Sequence, residues 1–186
     1  MQIAIFGGSF DPVHLAHVAI VEKALKELDI DKLLVVPTYL NPFKSSFHLG
    51  PKTRFQLLKK VFKRFSKVEV CDYEINQKKL SYSFDTVSYI KNLYKPSKIY
   101  FILGEDNIRN LNNWHKFEEL QKMVEFIVAT RNGFESDETK HFKKLDIRIK
   151  ISSSSLRENI DINFIPIEIK DDILNLKKGK SFWIQD

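Results

Sequence analysis

The sequence predicts an α/β domain built on a doubly wound parallel sheet, and three observations carry that prediction. Short β-branched and aromatic runs recur along the whole chain. Several are apolar throughout, as strands covered on both faces tend to be. Stretches of helical period lie between them, so strand and helix alternate, the order that builds a parallel sheet with helices on both faces.

The first strand is Ile3–Phe6, which runs straight into Gly7-Gly8. A helix is expected from about Val13, behind Pro12, a residue that suits a first helical turn. Leu33–Val36 reads as the second strand. Thr38–Pro51 carries two prolines, two serines and a glycine and reads as a long loop, and loops of that length in compact domains are often functional. In Lys52–Phe65, Phe55, Leu58, Val61, Phe62 and Phe65 follow i, i+3, i+4 spacing and leave Lys59, Lys60 and Lys63 for solvent. Val68–Cys71, Ile99–Leu103, Phe126–Ala129 and Ile147–Ile151 complete the strands, with polar Phe134–Lys144 read as a surface loop. No repeat and no Pro/Gly/Ser linker divides the chain, so residues 1–186 are expected to form one domain, with a helical portion from about 153 and a terminal helix after Ile165.

Composition excludes some classes and leaves others open. At 186 residues and 43% hydrophobic content the chain can bury a substantial core. A formal charge of +6 and a pI near 9.2 suit nucleic-acid binding, an anionic small substrate, or simply a lysine-rich surface. The single cysteine, Cys71, excludes an internal disulfide and a multi-cysteine zinc site. No apolar stretch approaches the roughly 20 residues of a membrane span. Met1–Gly8 lacks the basic start and long apolar middle of a signal peptide. A cytoplasmic protein without a membrane partner is expected; homo-oligomerisation stays open.

The segment "IAIFGGSFDPVHLAH", Ile3 to His17, holds the chemistry. Gly7 and Gly8 let backbone approach a ligand with no Cβ in the way. At ~100° per residue, His14 and His17 fall on the side of Val18, Val21, Leu25 and Leu28, at the mouth end of the buried face. A lone histidine there reads as core. Two, one turn apart at a helix start behind a glycine-rich strand exit, read as anion binding or acid–base groups. Zinc would need further ligands and is set aside. No G-x-G-x-x-G follows the first strand, and "GKS" at Gly179–Ser181 lacks the P-loop glycine, since Leu174 occupies its place.

The string "GGSFDPVHLAH" resembles the start of the nucleotidyltransferase superfamily that bears a His-x-Gly-His signature, with Ala16 in place of its glycine. "SYSFDTV" at Ser81–Val87, "ILGEDNIRNLNNWHKFEEL" at Ile102–Leu120, "VATRNG" at Val128–Gly133 and "ISSSSLR" at Ile151–Arg157 resemble, in order, landmarks of the bacterial nicotinate-nucleotide adenylyltransferases. The resemblance implies a single-domain, Rossmann-like nucleotidyltransferase fold. It also implies an activity: ATP and nicotinate mononucleotide give nicotinate adenine dinucleotide and pyrophosphate, with Mg2+ and no covalent enzyme intermediate.

By the same resemblance His14, His17, Lys44 and Arg157 are the catalytic set. Gly7, Gly8, Ser9, Phe10, Gly104, Asp106, Arg131, Ser152, Ser153 and Ser154 are expected to bind ATP. Ser83, Trp114 and His115 are expected to bind the acceptor, and no residue is assigned to a metal. Asn41 and Phe43 replace a proline and a histidine of the family's loop, and Ser83 and Ser154 stand where threonine is usual. The local sequence agrees at the serines: strand-like "DIRIKI" precedes them and "LREN" follows, so Ser152 or Ser153 can cap a helix whose N–H groups meet an anion. Adenylylation of nicotinamide mononucleotide or phosphopantetheine is the neighbouring reading. A basic nucleic-acid-binding module is the other, without an RNP-like strand, zinc finger or basic heptad segment to carry it.

Overall fold

A computed structural model describes residues 1–42, 44–131 and 140–178, with backbone only for Arg131, Lys177 and Lys178. In chain order its strands are β1 (Gln2–Gly8), β2 (Lys32–Pro37), β3 (Val68–Val70), β4 (Lys98–Gly104), β5 (Glu125–Arg131) and β6 (Lys143–Ile147). Between and after them come α1 (Leu15–Glu27), α2 (Pro51–Phe62), α3 (Tyr73–Gln77), α4 (Ser83–Tyr94), a 3-10 segment (Glu105–Asn113), α5 (Phe117–Leu120), α6 (Ser153–Glu158) and α7 (Lys170–Lys178). The strands form one parallel sheet in the order β3-β2-β1-β4-β5-β6. This is the expected doubly wound arrangement.

Alternation along each strand splits the core in two. Ala4, Phe6, Leu33, Val35 and Ile102 join α1 and α2 with Leu156 of α6 and Ile173 of α7. Ile3, Ile5, Leu34, Val36 and Phe101 join Val87 and Ile90 of α4 with Leu111 and Leu120. The central strands therefore bury both faces, which is why they read as continuous apolar runs. After β1 the chain turns to the first face and after β4 to the second, so a crevice opens between two neighbouring strands at their carboxyl ends.

Two boundaries differ from the sequence reading. The last strand is Lys143–Ile147, not Ile147–Ile151. Register with β5 from Ile127↔Lys143 to Arg131↔Ile147 decides it. Only Leu145 and Ile147 of this edge strand are buried, so a single inward face replaces the apolar run. Ile149 and Ile151 still pack on the core, without ladder pairing. The first helix begins at Leu15, with His14 as its N-cap in extended conformation, while Pro12 sits in a turn behind a cis Asp11–Pro12 bond. Of the expected 134–144 loop, residues 134–139 lie outside the described residues, as do the "GKS" stretch and the tail after it.

Candidate active site

The crevice is a cavity of about 330 Å³. From the turn after β1 come Gly7, Gly8, Ser9 and Phe10, and from the long loop Thr38, Asn41 and Lys44. His17 enters from α1, and Ser152, Ser153, Ser154 and Arg157 from α6. The lining is completed by Glu74, Ser81, Ser83 and Thr86, by Asp106 and Asn107 from the 3-10 segment, and by Ile5, Val36 and Phe101.

His17 is set by its own helix start. Its Nδ1 accepts the backbone N–H of His14 at 3.2 Å, so that nitrogen presents a lone pair and the ring carries its proton on Nε2. Nε2–H is thus the donor of this ring. His14 stacks on this ring at 3.7 Å, 22° from parallel, and Phe10 meets it edge-on at 4.9 Å. His14 itself is 1% exposed and supports His17 instead of lining the cavity. Phe10 holds a left-handed φ of 49°. A Cβ on Gly8 would come within 3.1 Å of its ring, so a larger residue there would press Phe10, and through it His17, by a few tenths of an ångström.

Cations converge from two segments. Arg157 donates from Nη1 to the carbonyl of Asp11 at 2.9 Å and from Nη2 to Ser154 Oγ at 2.9 Å. Ser153 Oγ donates to the Pro12 carbonyl at 3.0 Å, and Ser152 caps α6 by accepting from Ser155 N. Lys44 Nζ lies 3.4 Å from Ser9 Oγ. Lys44 is exposed by area, yet burial lowers its pKa, with the Arg157 guanidinium the next cause and Arg54 adding, against Asp11. Positive groups pressed together in this way make a receptor for an anion.

Sequence reasoning missed the scaffold beneath them. Arg54 on α2 is 1% exposed and donates to three carbonyls: Leu49 from Nε at 2.9 Å, Ser9 from Nη1 at 2.7 Å and Tyr39 from Nη2 at 2.8 Å. Asp11 accepts from the N–H groups of His48 and Leu49, each at 2.8 Å. Together they sew the turn after β1 to the loop that carries Lys44. The available signal was Arg54 standing one turn before Leu57 and Leu58 on the buried stripe of α2.

The other expected residues divide. Ser83 begins α4 and lines the cavity. Gly104 ends β4, its carbonyl accepting from Asn107 Nδ2 at 3.3 Å, and Asp106 follows in the wall. Trp114 is half-buried behind Phe101, edge-on at 6.0 Å, and exposed His115 packs on Tyr82 at 4.6 Å; neither lines this cavity. Arg131 ends β5, its side chain outside the described residues, and Phe43 is outside them altogether.

Glu74 has an energetic consequence. Burial raises its pKa to about 7, with the Thr86 hydrogen bond and Arg54 opposing and Asp85 adding. An acid raised on folding holds a proton that the unfolded chain releases, so stability falls as pH climbs from the ordinary carboxylate range to the folded value. Integrated over that window the loss is about 3 kcal/mol. In urea unfolding at pH 5 and pH 8, Glu74→Gln should flatten this part of the pH dependence and be the more stable protein at pH 8. Parallel wild-type and variant curves would remove the assignment.

Among the described residues no helix is long and apolar enough to cross a membrane. None of their His, Cys, Asp and Glu side chains form a group of three able to hold a metal ion.

Known proteins share this arrangement. The cytidylyltransferase-like family profile matches residues 5–159. A probable nicotinate-nucleotide adenylyltransferase of Aliarcobacter butzleri is 68% identical, covering 97% of this chain and 99% of that one. Another from Nitratiruptor sp. is 44% identical over 96% of this chain and 100% of its own length. The solved structure of Plasmodium falciparum nicotinic acid mononucleotide adenylyltransferase complexed with NaAD superposes with a TM-score of 0.77 at 27% identity, covering 100% of this chain and 99% of that one. Cavity, sheet order and sequence agree: the chain belongs to the cytidylyltransferase-like family and, within it, to the nicotinate-nucleotide adenylyltransferases.

Proposed function

We propose that the enzyme transfers the adenylyl group of ATP to nicotinate mononucleotide, releasing pyrophosphate and forming nicotinate adenine dinucleotide for NAD biosynthesis. The observation that carries the reading is the convergence of His17, Lys44 and Arg157 with Ser152–Ser154 on a single cavity. The acceptor's phosphate oxygen attacks the α-phosphorus as the bond to the bridging oxygen of pyrophosphate breaks. No protein nucleophile is required, so the chain's task is alignment and charge stabilisation.

In this reading His17 Nε2–H serves the oxygen on which charge builds, while Lys44 and the Arg157 fork hold the outer phosphates. The turn Gly7–Phe10 carries the α-phosphate past bare backbone, and Asp106 near Gly104 accepts from ribose hydroxyls. Arg131 lies toward the adenosine. Ser83 serves the nicotinate carboxylate, and Trp114 behind Phe101 and His115 beside Tyr82 are assigned to the same acceptor. Mg2+ is assigned to the MgATP substrate, whose net charge it lowers. An enzyme that draws on these solutes works in the cytoplasm.

Pyrophosphate release from ATP, measured with nicotinate and nicotinamide mononucleotides in turn, tests the reading. The nicotinate form should give the higher kcat/KM; a preference for the amide, or for phosphopantetheine, reassigns the acceptor. Tight, salt-dependent binding of unrelated oligonucleotides without ATP turnover would replace the enzyme reading altogether.

A further inference from the structure

Glu74 is left without a task by phosphate chemistry, yet it lines the same cavity as Ser83, the residue given above to the acceptor. It is 5% exposed. Its Oε1 accepts from Thr86 Oγ1 at 2.6 Å, and its Oε2 is buried without a hydrogen-bond partner. Ser81, Ser83 and Thr86 line the same cavity. A carboxylate with one oxygen unpaired in a dry wall is costly, whereas the neutral acid is tolerated.

We infer that Glu74 is a specificity-determining residue of the acceptor subsite: lining the cavity beside Ser83, it adds no negative charge of its own to a lining that already holds Asp106, and so admits an acceptor whose ring bears a carboxylate. Ionised, it disfavours that acceptor and spares one bearing a neutral amide. The inference rests on nicotinate mononucleotide being the acceptor. The groups that face Glu74 are Thr86 and Asp85 from α4, Arg54 from α2, Tyr73 beside it on α3, and Cys71 before that helix. Burial outweighs the hydrogen bond from Thr86 and the attraction of Arg54, and the acid ionises only near pH 7. Below that pH Glu74 adds no charge to the cavity lining; above it a second carboxylate charge stands there with Asp106 and disfavours an incoming carboxylate.

The test is the KM of nicotinate mononucleotide at saturating MgATP, at pH 6 and pH 8.5, divided by the KM or competitive Ki of nicotinamide mononucleotide under the same conditions. The amide control shares the phosphate and ATP titrations, so the quotient isolates the ring substituent. In the wild type the quotient should rise about five- to ten-fold between the two pH values, and in Glu74→Gln it should stay flat. Thr86→Val removes the hydrogen bond that favours the ionised form, so its rise should move to higher pH; this variant carries the test if Glu74→Gln does not fold. A flat wild-type quotient, a Glu74→Gln quotient that rises like the wild type, or an unmoved midpoint in Thr86→Val overturns the inference. A wild type that consumes no nicotinate mononucleotide at all fails the underlying reading first, an outcome distinct from turnover with an unaltered pH response.

Discussion

His17→Ala should lower kcat by about two to three orders of magnitude, the usual loss when one donor to a developing oxyanion is removed. The ring is fixed before substrate arrives: Nδ1 holds the His14 N–H, and His14 and Phe10 pack against it. In the proposed reaction Nε2–H would therefore meet the departing oxygen without reorganisation, in a contact that strengthens as charge accumulates. Such a contact weighs on kcat more than on ground-state binding, so the KM for ATP should change only a few-fold. Steady-state pyrophosphate release under saturating ATP and acceptor measures kcat, and titration of ATP gives its KM. A variant with intact kcat and weakened binding of both substrates would show that His17 merely holds the ground state.

Arg54→Met should be the most destabilising single change at the site. It keeps much of the volume and removes every hydrogen bond, stranding the carbonyls of Leu49, Ser9 and Tyr39. Losing one partner of a buried charged network costs about 3–5 kcal/mol, which in a chain of this size lowers Tm by roughly 10 °C. The same change frees the loop that carries Lys44 from the turn that carries Ser9, so the KM for ATP should rise in whatever fraction remains folded. Differential scanning calorimetry with kinetics at low temperature separates the two effects. A Tm within a degree or two of the wild type would mean that the carbonyls find other donors.

How much of this was legible in the sequence depended on where the determining contacts lie. β1, β2 and β4 were legible because strands buried on both faces leave unbroken apolar runs, and the pair Gly7-Gly8 marks a strand exit locally. β6 was misplaced because an edge strand shows one inward face, and Ile149 and Ile151 offered a more apolar but unpaired alternative. The positions of His17 in the first turn of α1 and of Arg157 about one turn inside α6 followed from helix period and turn chemistry within a few residues. Arg54, Asp11 and Glu74 could not: Arg54 reaches Ser9 across 45 positions, Asp11 reaches Leu49 across 38, and Glu74 meets Thr86 from another helix. Buried polar pairing of this kind is a property of the folded chain. Trp114, whose type suggested ring stacking, stands behind Phe101 because the 3-10 segment turns it toward the second core.

The stitching by Arg54 and Asp11 also sets where this lineage can gain or lose residues. The long loop is clamped at Tyr39 and again at His48 and Leu49, while Ser45 and Ser46 between the clamps are exposed. Lengthening the tether there adds only a logarithmic closure entropy, so insertions are cheap on that span. Between Leu49 and Arg54 the separation is fixed by one bond of 2.9 Å across the helix start, and a single added residue would swing the guanidinium off all three of its acceptors.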